Sequence, residues 1–448
     1  MTAFTPWTLF VDFGLISVLL LVGKLIRVKV RLTQKLFIPP SLIAGFLGLA
    51  LGKSGFGLLP LSDHIGTYAG ILIALVFGSL PLSSPQRKEK GLSERIGSMW
   101  AFSQSGMLFQ WGMCGLFGLV ILGSVWPNLH PSFGIMLPGG FVGGHGTAAA
   151  LGQAFGQLGY EDARSLAMTT ATVGILSSVI GGLILVKWAA RRKYTNFISD
   201  FADLPNELRT GLLPKHKRES MGESTCSSIS IESLTFNFAA MLCIAFGGYL
   251  MSKGISYWYP KLELPVFSCD FIIVRKAFDR FQVTDYICPQ TVSRLSSMFT
   301  DLLVAFGVAS IKLEIVVKYA VPLIFLLIFG ILFTAFFVLY TGRRLMKNYW
   351  FEKSLFTWGW FTGTMAMGIA LLRIADPKME SKSLDDYALA YLPIAPVEIA
   401  LVTFAPLAFI SGYGLWFILI CLAAGFAVLG TARIKGWWLN PRNRKTAG

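Results

Sequence analysis

Residues 137–152 read LPGGFVGGHGTAAALG, a run in which backbone amides, a threonine hydroxyl and an imidazole stand among side chains too small to cover them. Pro138 lacks a donor, and Gly139, Gly140, Gly143, Gly144 and Gly146 each disfavour helix by about 1 kcal/mol relative to alanine. A helix interrupted here exposes N–H groups suited to a carboxylate, and C=O groups suited to a small cation. Gly143, Gly144, His145, Gly146 and Thr147 are therefore candidate substrate-binding residues. Thr362, Gly363 and Thr364 join them from a second glycine-bearing segment, TGTMAMGIALLRIADP. Thr147, Thr172, Thr364 and Glu398 are candidate ion-coupling residues, offering hydroxyl or carboxylate oxygens. Glu398 stands out because PIAPVEIAL surrounds it with prolines and apolar residues and no adjacent cation.

Each candidate has a plainer reading. A threonine can bond back to its own helix. His145 can be a structural hydrogen-bond partner instead of a donor to carboxylate or a protonation gate. Gly140 and Gly144 have the GxxxG spacing of close helix packing, although Pro138 and five glycines in eight residues exceed what packing requires. Arg373 could clamp a carboxylate, but its spacing from Asp376 predicts a local ion pair. Gln104, Ser105 and Gln110 share one apolar run, and Thr169, Thr170 and Thr172 another. Asp270 is a weaker suspect, with Arg275 close enough to neutralise it.

The elements that position these groups belong to a membrane protein. Of 448 residues, 54% are hydrophobic and 14% charged, with mean hydropathy +0.62; soluble domains carry about 25% charged residues. Many apolar runs approach or exceed the roughly 20 residues that span a bilayer. They cover about 8–25, 37–51, 65–80, 96–125 and 163–188, then 236–251, 264–274, 298–312, 315–340, 387–409 and 415–431. The glycine segments fall before the fifth and the tenth. The six cysteines are scattered, with no CxxC, so neither a disulfide framework nor a zinc site is indicated. The first run lacks a basic leader and is long enough to stay as a helix.

The net charge of +15 fits the positive-inside bias better than nucleic-acid binding. With the N-terminus outside and neither glycine segment crossing, all but six of the 39 Lys and Arg fall inside. The six are Lys53, Arg164, Lys253, Lys261, Lys312 and Lys318. This sorting predicts a re-entrant hairpin at about 131–158 entering from outside and another at about 355–376 entering from inside. The fold class expected is an all-α polytopic membrane protein: two inverted five-helix repeats, each with a re-entrant hairpin, plus one extra C-terminal span. The first repeat occupies 1–193, a polar cytoplasmic linker 194–230 and the second repeat 231–412. The additional span and basic cytoplasmic tail take 413–448. IALVFGSLPL (73–82) echoes VAFGVASIKL (304–313), and Gly146-Thr147-Ala148-Ala149 echoes Gly363-Thr364-Met365-Ala366. Broken segments at matching places in inverted halves point to a transporter site near the midplane.

The stretch GGFVGGHGTAAALGQAFGQLGYEDARSLAMTTATVG (139–174) resembles the first hairpin and following helix of the bacterial sodium:glutamate symporter family. IPPSLIAGFLGL near Ile38, SIKL at 310–313 and the second hairpin, 362–377, resemble it as well. The resemblance spans nearly the whole chain in plan, with 139–174 its specific part. It implies sodium-driven uptake of glutamate or a related acidic amino acid by alternating access, with no cofactor besides sodium as coupling ion. It also implies a plasma-membrane location, a bilayer and a small anion as partners, no nucleic acid, and a homodimer. The sequence departs from the family in its sparser second hairpin, its charged seventh run and its eleventh span.

No HExxH, GxSxG or P-loop occurs, so neither an enzyme nor a nucleotide-driven pump is expected. The rival readings are a citrate- or malate-type hydroxycarboxylate symporter, which shares opposed hairpins, an ion channel, and a membrane-embedded receptor or scaffold. The last leaves both hairpins unexplained.

Overall fold

The computed structural model describes residues 4–35, 38–83, 93–197, 212–215, 218, 220–227, 229–258, 278–280, 282–376 and 380–439. Every regular element among them is helical. In chain order the principal helices are α1 Pro6–Lys29, α2 Pro40–Leu51, α3 Ile65–Ser83, α4 Ser93–Leu116, α5 Met136–Phe141, α6 Gly144–Gln157 and α7 Asp162–Arg191. They continue with α8 Ser233–Trp258, α9 Pro289–Ala309, α10 Ala320–Leu345, α11 Trp350–Thr362, α12 Met365–Ala375, α13 Ser383–Ile410 and α14 Gly414–Ile434. By length and composition, eight helices among the described residues can cross a membrane: α1, α4 with its continuation to Val125, α7, α8, α9, α10, α13 and α14. Two shorter apolar helices, α2 and α3, accompany them. The chain is a multi-pass, all-α membrane protein.

Local chemistry fixes the helix ends. Thr5 and Thr8 form a reciprocal capping box ahead of α1, with Pro6 at the first position where its missing N–H costs nothing. Pro40 opens α2 and Pro289 opens α9 in the same way. Arg27 and Lys29 close α1, and Arg343 and Arg344 close α10, where cations complement the carbonyl end. A π-wound turn, Phe117–Leu122, extends α4. Gly118 there lies against Gly134, so the end of α4 abuts the entry to α5.

Two packed groups result. In one, α9 lies on α3 and α2, α1 on α2, and α8 on α3. In the other, α4 is flanked by α14, α13 and α10, while α7 packs against all four short helices α5, α6, α11 and α12. Helices α6 and α7 also touch α9, joining the groups.

Three expectations need correction. The second glycine-bearing unit starts at Trp350, not about 355, because Glu352 and Lys353 lie inside α11 and are buried. Their charges are met: Asn196 donates through N and Nδ2 to Glu352, and Lys353 Nζ lies 2.8 Å from Asp386 Oδ2. The 315–340 run is split at Tyr319 between a short helix, Leu313–Lys318, and α10. Asp376 is buried and receives the backbone N–H groups of Glu380 and Ser381, while Arg373 points outward; among the described residues the two make no ion pair. The 264–274 run, with Asp270, lies outside the described residues.

Candidate functional site

Helices α5 and α6 form one helical hairpin and α11 and α12 another, and their tips meet. At the first tip Val142 is extended, and Gly143 (φ +80°) and Gly144 (φ +63°) are both left-handed. Two successive left-handed residues reverse the chain within one step, which glycine does without the roughly 1–2 kcal/mol cost to other residues. At the second tip Gly363 unwinds the backbone and extended Thr364 starts α12. Contact between the arms is permitted by Gly359 and Gly368: a Cβ on Gly359 would come within 2.6 Å of the Gly368 nitrogen. Two facing glycines thus do here what a glycine run does in the first hairpin.

The tips touch at Gly144, where an added Cβ would lie 2.7 Å from Thr364 Cγ2 and 2.9 Å from the Gly363 carbonyl oxygen. Glu398, 5% exposed on α13, reaches the same place: its Oε1 would be 2.8 Å from a Cβ on Gly143. Its other oxygen accepts from Tyr391 Oη at 2.9 Å. Among the described residues no cation pairs with it. Tyr391 sits seven residues before Glu398, two turns along one helix face, and stacks on Tyr387.

Helix α7 runs past both hairpins. Thr170 Oγ donates to Met136 O at 2.7 Å, and Trp358 Nε1 donates to Ser178 O at 3.0 Å. His145 Nε2 and Thr172 Oγ are 3.0 Å apart, and Thr172 Oγ also lies 2.9 Å from Met168 O. If the hydroxyl donates to that carbonyl, Nε2 is the donor to Thr172. His145 Nδ1 is then an acceptor, buried without a hydrogen-bond partner among the described residues. Gln110 on α4 donates to Phe361 O and Thr334 Oγ, tying the carbonyl end of α11 to α10.

The predicted site residues divide by what their polar atoms already do. Gly143, Gly144, His145, Gly146, Thr147, Gly363, Thr364 and Glu398 gather at or beside the tips. The Thr362 hydroxyl donates to Trp358 O, and the Thr364 hydroxyl caps α12 by accepting from Met367 N. Thr172 bonds back to its own helix as well as meeting His145. For these three the back-bonding or capping geometry holds, leaving their carbonyls or second lone pairs for a ligand. Thr147 makes no hydrogen bond among the described residues. Tyr391 escaped notice in the sequence; its only signal there was its seven-residue spacing from Glu398.

The helix ends give the tips mixed polarity. The N-termini of α6 and α12 bring free N–H groups and partial positive charge to the junction. The last turns of α5 and α11 bring carbonyl oxygens and partial negative charge to the same point. Such a junction can hold an anion and a small cation side by side.

Known proteins that this chain resembles are symporters. Residues 114–364, from the end of α4 to the second tip, match the family model described as sodium/glutamate symporter. The Haemophilus influenzae sodium/glutamate symporter is 26% identical over 357 residues, covering 75% of this chain and 80% of that protein. The Escherichia coli sodium/glutamate symporter is 24% identical over 344 residues, covering 74% and 79%.

Proposed function

The chain belongs to the sodium/glutamate symporter family, and on that premise we propose that it takes up glutamate or a related acidic amino acid with sodium by alternating access around its two hairpin tips. What carries the reading is the convergence of two helix N-termini, two helix C-termini and Glu398 at one buried junction. The amides of Gly144, His145 and Gly146, with that of Met365 beyond Thr364, would hold a substrate carboxylate. Gly143, Thr362 and Gly363 would offer carbonyls, and Thr147, Thr172, Thr364 and Glu398 side-chain oxygens, to sodium. Each ion stabilises the other there, so loading one without the other is disfavoured.

The driving force depends on stoichiometry. A tenfold sodium gradient supplies about 1.4 kcal/mol per ion, and about 100 mV adds about 2.3 kcal/mol per net charge moved. One sodium with monoanionic glutamate is electroneutral and gains the first contribution alone. Two sodiums gain about 5 kcal/mol.

The inverted-repeat division into 1–193, the linker 194–230, 231–412 and the final span 413–448 is part of this proposal. Support comes from the packing of α3 on α9, the third helix of one repeat on its counterpart. It also comes from the way each hairpin precedes a long helix that contacts the opposite hairpin. The charge sorting supports an outside N-terminus and a cytoplasmic C-terminus, in the plasma (inner) membrane. A homodimer completes the proposal.

Uptake of radiolabelled glutamate into proteoliposomes, under a sodium gradient, a proton gradient or neither, tests the reading. Saturable, sodium-dependent accumulation is expected, with Thr147→Val reducing it. Accumulation of malate but not glutamate would move the substrate to hydroxycarboxylates, and flux without saturation or coupling would indicate a channel.

A further inference from the structure

A cavity of about 760 Å³ lies at the far end of α6 from the tips. Its walls are the α2–α3 loop, the last turns of α6, the start of α7 and the end of α9. Gln153, which lines it, is nine residues from Gly144, about 13 Å along the helix. The cavity is thus separate from the junction but shares a helix with it.

Its charges are unusual for its place. Lys53, Arg164 and Lys312 all line it, and these are three of the six cations that the charge sorting leaves on the outer face. A face depleted of cations has half of its Lys and Arg around one hollow. The opposing carboxylates are Asp63 and Glu161. Asp63 is already paired with Lys53 at 2.8 Å. The neighbouring Asp162 is engaged by Lys318 at 3.2 Å and by Tyr319 Oη at 2.9 Å. Arg164, half-buried, makes no hydrogen bond or ion pair among the described residues. A guanidinium offers five donors in a planar fork matched to carboxylate. Gly66 gives it room: a Cβ there would lie 2.8 Å from Arg164 Nη1. One turn further along α3, Gly70 faces Gln153 in the same way.

We propose that this cavity is an outer vestibule site, in which Arg164 captures the carboxylate of the acidic substrate before it reaches the hairpin tips. The ligand class is a small carboxylate, held by the guanidinium with Gln153 as a second polar contact and Lys312 at the rim. The assignment of that carboxylate to the transported substrate rests on the proposed symport. The site raises the local substrate concentration and speeds capture, so its loss acts on KM.

Two measurements on the full-length protein in proteoliposomes separate this inference from the symport itself. The first is labelling of Ser54→Cys by anionic sulfonatoethyl and cationic trimethylammonium methanethiosulfonates, read at that residue by mass spectrometry. Adding Arg164→Gln is expected to lower the anionic-to-cationic rate ratio about fivefold or more. Glutamate, but not chloride, is expected to slow labelling in the Arg164 protein alone. An unchanged ratio, or equal protection by chloride, overturns the proposal. The second is glutamate uptake: Arg164→Gln is expected to raise KM about fivefold or more with Vmax within twofold, and Arg164→Lys to recover part of the loss. A fall in Vmax at constant KM also overturns it. If no sodium-dependent uptake occurs in the unmodified protein, the symport fails, while the labelling ratio still decides whether the cavity draws anions.

Discussion

Alanine at Gly143 and at Gly412 imposes the same backbone cost in two different surroundings. Both glycines are left-handed, at φ +80° and +81°. A Cβ in that region costs roughly 1–2 kcal/mol, so each variant should melt roughly 1–2 °C lower than the parent. The surroundings differ completely. Around Gly412, in the loop between α13 and α14, nothing lies within 4 Å of the added carbon. At Gly143 the carbon meets Glu398 Oε1 at 2.8 Å and crowds Thr147 Oγ, roughly 0.7 Å short of a comfortable non-bonded separation. Glu398 must therefore move away from the tip. Misplacing a functional group by about 1 Å costs on the order of 100-fold in reactions that depend on its position. Sodium-dependent uptake by Gly143→Ala is expected to fall at least tenfold, with a matching rise in the sodium concentration needed for half-maximal rate. Gly412→Ala should transport within about twofold of the parent despite similar melting. The assay is radiolabelled glutamate uptake across a sodium titration, alongside thermal denaturation in detergent. Equal transport by the two variants would refute the placement of Glu398 and Thr147 at the ion site.

Tyr391→Phe removes a hydrogen bond to a charged group, worth about 1.5–3 kcal/mol, and should weaken sodium activation about tenfold in the same titration, with substrate affinity at saturating sodium changed less. Asp386→Asn leaves Lys353 buried without its carboxylate and also loses the ion pair to Arg95; breaking such a buried pair costs about 3–5 kcal/mol, which a thermal melt would show as a large drop, and an unchanged melt would refute the pairing. Gly359→Ala drives a methyl into the Gly368 backbone and should abolish folding or transport, whereas Gly156→Ala, on the first hairpin with nothing near its Cβ, should fold normally by fluorescence-detected size exclusion.

Much of this architecture was legible because membrane helices announce themselves by length and hydropathy, and because breaks within them need glycine. The first hairpin could be read from Pro138 and five glycines, and the structure breaks the helix at Gly143 and Gly144, inside that run. The second was harder, since its arms approach through Gly359 and Gly368, nine residues apart and unremarkable singly. It begins earlier than its glycines suggest, at Trp350, because Asn196 and Asp386 are brought beside the buried Glu352 and Lys353. Nearness of Arg373 and Asp376 in sequence suggested a pair, yet Asp376 turns inward to bind backbone N–H groups. Tyr391 could not be linked to Glu398 without knowing that both face the tips. Periodicity locates elements; partners supplied by distant elements decide which charges are neutral, paired or free.

The junction at the tips also bears on why coupling belongs to this geometry. A site made only from helix N-termini would take an anion whether or not sodium were present, and one made only from C-termini would take a cation alone. Here both kinds of terminus meet beside a buried carboxylate that has a tyrosine hydroxyl but, among the described residues, no cation. In the proposed coupling, an ionised Glu398 has no compensating cation among the described residues until sodium arrives, and a buried unpaired charge is costly. On the same proposal, the cation would offset the repulsion between Glu398 and an incoming substrate carboxylate at the neighbouring amides. Removing the negative charge should therefore uncouple the protein and leave it folded. Glu398→Gln keeps the shape and the contact with Tyr391, and glutamate binding to it should lose its dependence on sodium. Calorimetric titration of glutamate with and without sodium would show the two curves converging, and curves as far apart as those of the parent would mean that Glu398 plays no part in coupling.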